Sequence, residues 1–347
     1  MNKLSIAILG LLAIGQSLST SCSTKEDGPD APDVPDVPAV STDFARGADV
    51  SWVTSLEKEG YKFYDKDGRP SELMSLLKNQ CGVDAIRLRV WVNPADGMNG
   101  KEDVLEKASR ANRLGLKLMI DFHFADTWAD PGHQPTPAAW ADYDIEQLKV
   151  AVSDHVKDVL SDLKRRNITP EWVQIGNETT QGMLWPLGKD DKPENFTALV
   201  NSGYDAVKSV FPSAKVIVHL DKGDDLWRYN HILGILKANG GKYDMIGMSL
   251  YPEAADYAVT TRRMLDNIDK VYETYQRPVM VCEIGMNYRN GKEVRNAIKM
   301  IRDRAATTPY IKGVFYWEPE APAGYNGGYD KGCFVDGRPT EALDAFK

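Results

Sequence analysis

Two glutamates close apolar runs in this chain: Glu178 in Val173-Gln174-Ile175-Gly176-Asn177-Glu178, and Glu283 in Val279-Met280-Val281-Cys282-Glu283. A lone Glu at the end of such a run is ordinarily a loop cap or half of an ion pair. Two of them, with Asn177 directly before the first and aromatic residues nearby, suit a more specific chemistry. Glycosidic bonds are cleaved by paired carboxyls, one protonating the leaving oxygen while the other attacks the sugar carbon, and their surroundings must push the two pKa values apart. A retaining reaction needs the two carboxyls roughly 5–5.5 Å apart.

The elements that could hold such a pair follow from the pattern of short β-rich and longer amphipathic segments. Strands are expected at 45–53, 85–92, 117–124, 172–178, 215–220, 245–252, 277–285 and 311–319. Most lack strict alternation, as strands buried on both faces of a parallel sheet do. Helical periodicity covers 72–79, 101–114, 145–166, 192–211, 226–238, 257–275 and 291–306, with a short tail at 340–346. Eight strands, each followed by a helix, predict a single (β/α)8 TIM barrel. A doubly wound open sheet is the alternative, but neither G-x-G-x-x-G nor a P-loop motif follows an early strand.

Chemistry in a barrel of this kind sits at the carboxyl ends of the strands. Those ends carry Arg87, Arg89 and Trp91 on strand two, Asp121 and His123 on strand three with Asp126 and Trp128 just beyond, and Asn177 and Glu178 on strand four. Strands five to eight contribute His219 and Asp221, Tyr251, Glu283, and Trp317 with Glu318. Glu178 and Glu283 lie 105 residues apart, three βα units of about 35 residues each. Three strands apart on an eight-membered ring, they could face each other across the mouth.

These residues carry a resemblance. The stretches RGADVSW (46–52), IRLRVWVNP (86–94), DFHFADTWADPGHQ (121–134), VQIGNE (173–178), SLYP (249–252) and YWEP (316–319) resemble the retaining (β/α)8 glycosidases, and within them glycoside hydrolase family 53, the endo-β-1,4-galactanases. The resemblance spans nearly the whole folded region. It implies Glu178 as general acid/base, Glu283 as nucleophile and Asn177 as partner of the sugar 2-hydroxyl. Arg87 and Arg89 share a side-chain parity, so one of them, Arg87 by preference, would hold the nucleophile ionised; the other would pair with Asp49 or Asp121. His123 would donate to sugar or to Glu283, Tyr251 could bond the nucleophile, and His219 is a further substrate-binding candidate. Trp91, Trp128 and Trp317 are candidate platforms for pyranose faces, which pack on indole as apolar surface does. The reaction implied is hydrolysis of internal β-1,4 bonds of pectic galactan or type I arabinogalactan. Alternatives are another retaining barrel glycosidase, such as a β-mannanase or β-glucanase, and a surface glycan-binding lipoprotein without hydrolysis.

The rest of the chain bounds where this would happen. Composition is that of a soluble globular protein, with 42% hydrophobic and 27% charged residues and a formal net charge of -8, and no basic block suits nucleic acid. Residues 1–21 read as a lipoprotein signal peptide: a short positive start, an apolar stretch too short to span a bilayer, then small residues before Cys22, the expected lipidation site. Ser23-Thr24-Lys25-Glu26-Asp27 resembles the acidic export tag of Bacteroides-type surface lipoproteins. Four prolines and three aspartates between 28 and 40 predict an extended tether over 22–40, with the catalytic barrel over 41–347. The expected setting is the outer membrane at the cell surface, and the expected state a monomer. Cys81, Cys282 and Cys333 are expected to be reduced, with the Cys282 thiol aimed into the barrel wall. No cofactor is required and no His spacing suits a metal, although Asp330 and Asp336 in the 324–337 loop could offer oxygens to calcium.

Overall fold

Eight parallel strands close into a barrel in the computed structural model, which describes residues 43–347. They are β1 Ala45–Asp49, β2 Ala85–Val90, β3 Lys117–Phe122, β4 Trp172–Ile175, β5 Lys215–Leu220, β6 Met245–Leu250, β7 Val279–Ile284 and β8 Ile311–Trp317. Each strand pairs with its successor, and β8 returns to β1 in a register running from Ala45↔Gly313 to Asp49↔Trp317. Every residue of β2, β4, β6 and β7 is buried, which is why their sequences run apolar without alternation.

Helices wrap the barrel in the expected order. α1 Val53–Lys58 was not legible, since Trp52 at its start offers no side-chain cap. α2 Leu73–Leu76 continues as a π-helical turn, Leu77–Cys81, and stops at Gly82 in the left-handed region. Then come α3 Lys101–Arg113, α4 Ile145–Arg165, α5 Pro193–Val210, α6 Leu226–Ala238, α7 Tyr257–Tyr275 and α8 Gly291–Ala305. Their starts carry recognisable signals: Asp144 and Gln147 form a reciprocal capping box on α4, and Pro193 occupies the first turn of α5. The chain ends in a 3-10 turn, Glu341–Phe346. Among the described residues no helix is long and apolar enough to cross a membrane. The signal peptide, the tether and Cys22 lie outside the described residues.

Strand lengths matter for the site. β1 ends at Asp49 rather than at residue 53, and β4 at Ile175 rather than at 178, because Gly176 turns the chain with φ +80°. Below the mouth, each strand sends an apolar side chain inward: Ala45, Ala85, Met119, Trp172, Ile217, Met245, Met280 and Phe315 form one buried cluster. Gly47 makes room for this plug, since a Cβ there would lie 2.1 Å from the Phe315 ring.

Cys282 belongs to the same cluster, which corrects its expected direction. Met248 pairs with Val281 but Ser249 pairs with Glu283, so β7 holds one extra residue at Cys282. That bulge turns two consecutive residues, Cys282 and Glu283, toward the barrel axis instead of sending one into the wall. Cys81, Cys282 and Cys333 are all unpaired and buried.

Candidate active site

A layer of polar side chains lies directly on the apolar plug, organised by Arg87. Its Nη1 sits 2.8 Å from Asp49 Oδ2 and 2.9 Å from Glu283 Oε1, while Nη2 lies 2.8 Å from Asp121 Oδ2. Nη2 also donates to Asn177 Oδ1 at 3.0 Å and to Gln174 Oε1 at 3.1 Å, and Nε reaches Gln174 Oε1 at 3.2 Å. Strands β1, β2, β3 and β7 and the end of β4 are thus tied to one planar fork, which matches carboxylates bidentately as an ammonium cannot. Gln174 completes the layer by donating to Asp121 Oδ1 at 2.5 Å.

The approach to Glu178 is set by local backbone. After β4, Gly176 adopts φ +80°, where a Cβ would meet Thr179 Cγ2 at 2.5 Å, so only glycine fits without a shift. Glu178 itself has φ +46°, a strained conformation for a side chain of its size that the surroundings must enforce. They do so by pinning the segment on both sides. Gln134 Nε2 donates to Asn177 O at 2.7 Å, Asn177 Nδ2 to Ala129 O at 2.9 Å, and the Thr179 amide to His219 O at 2.9 Å.

Glu178, Glu283, Asn177, His123, Trp128 and Trp317 border one cleft of about 300 Å³ at the barrel mouth, together with Tyr251 and Lys331. Burial pushes the Glu178 carboxyl well above its ordinary value, and the nearby Glu283 charge pushes it the same way. Burial also raises Glu283, but Arg87 and the hydrogen bond from Tyr251, 2.6 Å from Oε2, act against it. The pair therefore holds its shared proton on Glu178, leaving Glu283 anionic. Asp121 feels the same burial, yet Arg87 and His123 outweigh it and keep the carboxyl below its usual range. His123 lines the cleft and is held neutral by burial despite Asp121 at 2.9 Å from its Nε2, and its buried Nδ1 has no hydrogen-bond partner among the described residues. A proton-bearing carboxyl and an anionic one across an aromatic-walled cleft can protonate a leaving oxygen and attack the adjacent carbon.

Comparison with known proteins agrees with this arrangement. The family model for glycosyl hydrolase family 53 matches residues 45–344. The chain belongs to glycosyl hydrolase family 53. It is similar to the arabinogalactan endo-β-1,4-galactanase of Thermothelomyces thermophilus, 32% identical over 79% of this chain and 89% of the relative. The corresponding enzyme of Humicola insolens is 33% identical over the same shares. Among solved structures, a fungal β-1,4-galactanase superposes with a TM-score of 0.78 at 30% identity, over 89% of this chain and 99% of the other. The family 53 catalytic domain of Ignisphaera aggregans gives 0.77 at 28% identity, over 90% and 97%.

Several candidate residues of this family 53 chain stand elsewhere than expected. Arg89 does not pair with Asp49 or Asp121; its Nη2 lies 3.0 Å from Glu318 Oε1, and its guanidinium packs over the rings of Trp128, Trp91 and Trp52 at 4.3, 5.4 and 5.6 Å. Trp91 is buried behind Trp128 and gives the cleft no platform, so it props Trp128 from behind. His219 is also fully buried, its Nδ1 3.0 Å from Asn177 Oδ1 and its Nε2 2.8 Å from Ser249 Oγ, and it cannot touch substrate. Their places at strand ends marked all three as candidates but could not tell the mouth from the layer beneath it. Of the residues expected to offer oxygens to calcium, Asp330 holds Lys331 at 2.6 Å and Asn287 at 3.0 Å, and no cluster of metal-ligating side chains occurs among the described residues.

Other contributors had no signal in the sequence. Gln174 lay inside an apolar run, and Ser249 gave no hint of its contacts with His219 and Glu178. Trp52 proves to be the hub of the aromatic wall, meeting Trp128, Trp317, Tyr325 and Tyr329 at ring distances of 5.2–5.7 Å. Beneath it, burial pushes Glu318 up to about 7 against the pull of Arg89, and raises its neighbour Glu320 further. A wider groove of about 1200 Å³ between α3 and α4 is not the site, because none of the converging groups reaches it.

Proposed function

We propose that the protein is an endo-β-1,4-galactanase that cleaves internal bonds of pectic galactan or type I arabinogalactan with retention of configuration. Glu178 acts as the general acid/base and Glu283 as the nucleophile. The observation that carries this reading is the asymmetry of the two carboxyls: Arg87 and Tyr251 both touch Glu283, whereas among the described residues no cation forms an ion pair with Glu178. In the first step Glu283 attacks the anomeric carbon while Glu178 hands its proton to the departing oxygen. In the second, Glu178 takes a proton from water, and that water displaces the sugar from Glu283. Asn177, oriented by Arg87 and Ala129, is placed to bond the 2-hydroxyl, and Trp128 and Trp317 offer ring faces to the galactosyl units. The substrate assignment follows the names of the relatives, whose galactanases match most of their own length.

The chain acts as a monomer carried on the cell surface by lipid on Cys22 and the 22–40 tether, with no nucleic-acid partner. The sequence of residues 1–40 supports this anchoring.

The enzyme should depolymerise linear β-1,4-galactan and leave β-mannan and β-glucan intact. Azide should rescue Glu283→Gly as an α-galactosyl azide, and a β-azide would instead make Glu283 the acid/base and not the nucleophile. Palmitate labelling should require Cys22, and an unlabelled mature protein would remove the anchor.

A further inference from the structure

Two clefts meet at Glu178 and Tyr251. The catalytic one also holds Glu283, Trp128, Trp317 and Lys331, and the other, of about 470 Å³, runs along the segments after β5 and β6 past Asp221, Lys222, Pro252 and Glu253. Glu178 borders both, whereas Glu283 borders only the first. Sugar that stays on the nucleophile therefore lies in the first cleft, and the chain that departs past the acid lies in the second.

Among the described residues, Lys331 is the one lysine or arginine on the border of the first cleft. Several contacts fix its place. The Tyr316 hydroxyl, from β8, donates to the Lys331 carbonyl at 2.8 Å, and Lys331 Nζ donates to Asp330 Oδ1 at 2.6 Å. Asp330 is tied in turn to the segment after β7: its Oδ2 accepts from Asn287 Nδ2 at 3.0 Å, and its carbonyl from the Tyr288 amide at 2.7 Å. The lysine stem passes over Gly285, where a Cβ would lie 3.4 Å from Lys331 Cδ and 3.1 Å from Tyr251 Cε1. The ammonium ends 6.0 Å from the centre of the Tyr251 ring, whose hydroxyl is bound to Glu283.

A lysine ammonium has three hydrogens and no lone pair. Asp330 takes one, and the other two have no acceptor among the described residues. Asp330 also balances the charge, so the remaining hydrogens suit a neutral hydroxyl better than a second carboxylate. Held at the edge of a cleft that offers indole faces, they match the hydroxyl rim of a pyranose lying on Trp128 or Trp317.

We propose that Lys331 is a substrate-binding residue that donates a hydrogen bond to a hydroxyl of the galactosyl units retained on Glu283, and so helps select a neutral hexosyl chain on that side of the cut. The proposal rests on the galactanase reading, with Glu283 as nucleophile. The link from Asp330 to Asn287 and Tyr288 is what carries the lysine into the cleft, so the segments after β7 and β8 act on the sugar together.

An aryl β-galactobioside places both its sugars on the Glu283 side and none in the second cleft. Lys331→Met should therefore lower kcat/KM about tenfold on this substrate and on galactan alike. A loss confined to galactan would put Lys331 on the departing chain and overturn the assignment. Disturbance of the loop by the substitution would also slow the enzyme, so monodeoxy galactobiosides decide the contact. One of them should lose about tenfold on the wild-type protein, yet be cleaved by Lys331→Met as fast as the parent galactobioside. If each deoxygenation costs the variant what it costs wild type, or if the variant matches wild type on the parent, Lys331 binds no hydroxyl. A wild-type protein that cleaves β-mannan or β-glucan but not galactan would instead defeat the proposed substrate, and the deoxy series on the aryl disaccharide of that sugar would still decide Lys331. Inactivity on all three would remove both readings.

Discussion

Replacing Arg87 by lysine keeps the charge and removes the fork, which separates the two things this residue does. The guanidinium makes six contacts of 2.8–3.2 Å, to Asp49, Glu283, Asp121, Asn177 and, twice, Gln174. A lysine ammonium has three hydrogens at one point, so at least three of the six contacts must go. At about 1–1.5 kcal/mol each, the loss is about 3–5 kcal/mol of stability, the range found when a buried ion pair is broken. The carboxyl most exposed to misalignment is Glu283, which would lose a charge-assisted bond worth about 1.5–3 kcal/mol, or about 10- to 150-fold in kcat. Urea unfolding followed by tryptophan fluorescence gives the first number and galactan hydrolysis at saturation gives the second. Stability within about 1 kcal/mol of wild type, together with an unchanged kcat, would refute the view that a single fork organises the layer. Lost stability with intact kcat would make Arg87 a core ion pair without influence on the nucleophile.

Two further outcomes follow from the same geometry. Glu178→Gln should abolish galactan hydrolysis yet raise Tm at neutral pH. The raised folded-state pKa of Glu178 means that stability falls as pH climbs from the unfolded value near 4.3 through the folded one, and glutamine lacks that loss. The Tm gap should be about 2–4 °C at pH 7 and close near pH 4, and a gap that widens toward acid would reverse the assignment. Trp128→Ala removes a cleft wall that also packs on the Arg89 guanidinium 4.3 Å away; KM for galactan should rise about tenfold or more with a smaller change in kcat, and an unchanged KM would leave Trp128 a packing residue.

What could be read from the sequence was what local chemistry marks. β-rich runs buried on both faces announced the strands, and α6 and α7 have the very limits that their periodicity suggested. Glu178 and Glu283 were legible because two carboxylates close apolar runs three βα units apart, the first directly after Asn177. Their support was not, because it is specified across the ring. Gln174 is one polar residue in a buried strand, and only its partners on β2 and β3 give it a role. Arg87 and Arg89 are identical in type and parity, two residues apart, yet one enters a layer of carboxylates and the other a box of indoles from the segments just after β1, β2 and β3. The sharpest case is Glu283. By strict alternation from Met280, which points into the plug, Glu283 should face the helices, and its inward direction exists only because β7 bulges at Cys282. A slip of one residue in pairing reverses the face of everything beyond it, so the residue most conspicuous in the sequence owes its position to the feature least visible there. Bulge and fork are therefore complementary: the first turns the Glu283 carboxyl inward, and Arg87 then meets it with the hydrogen bond that keeps it anionic.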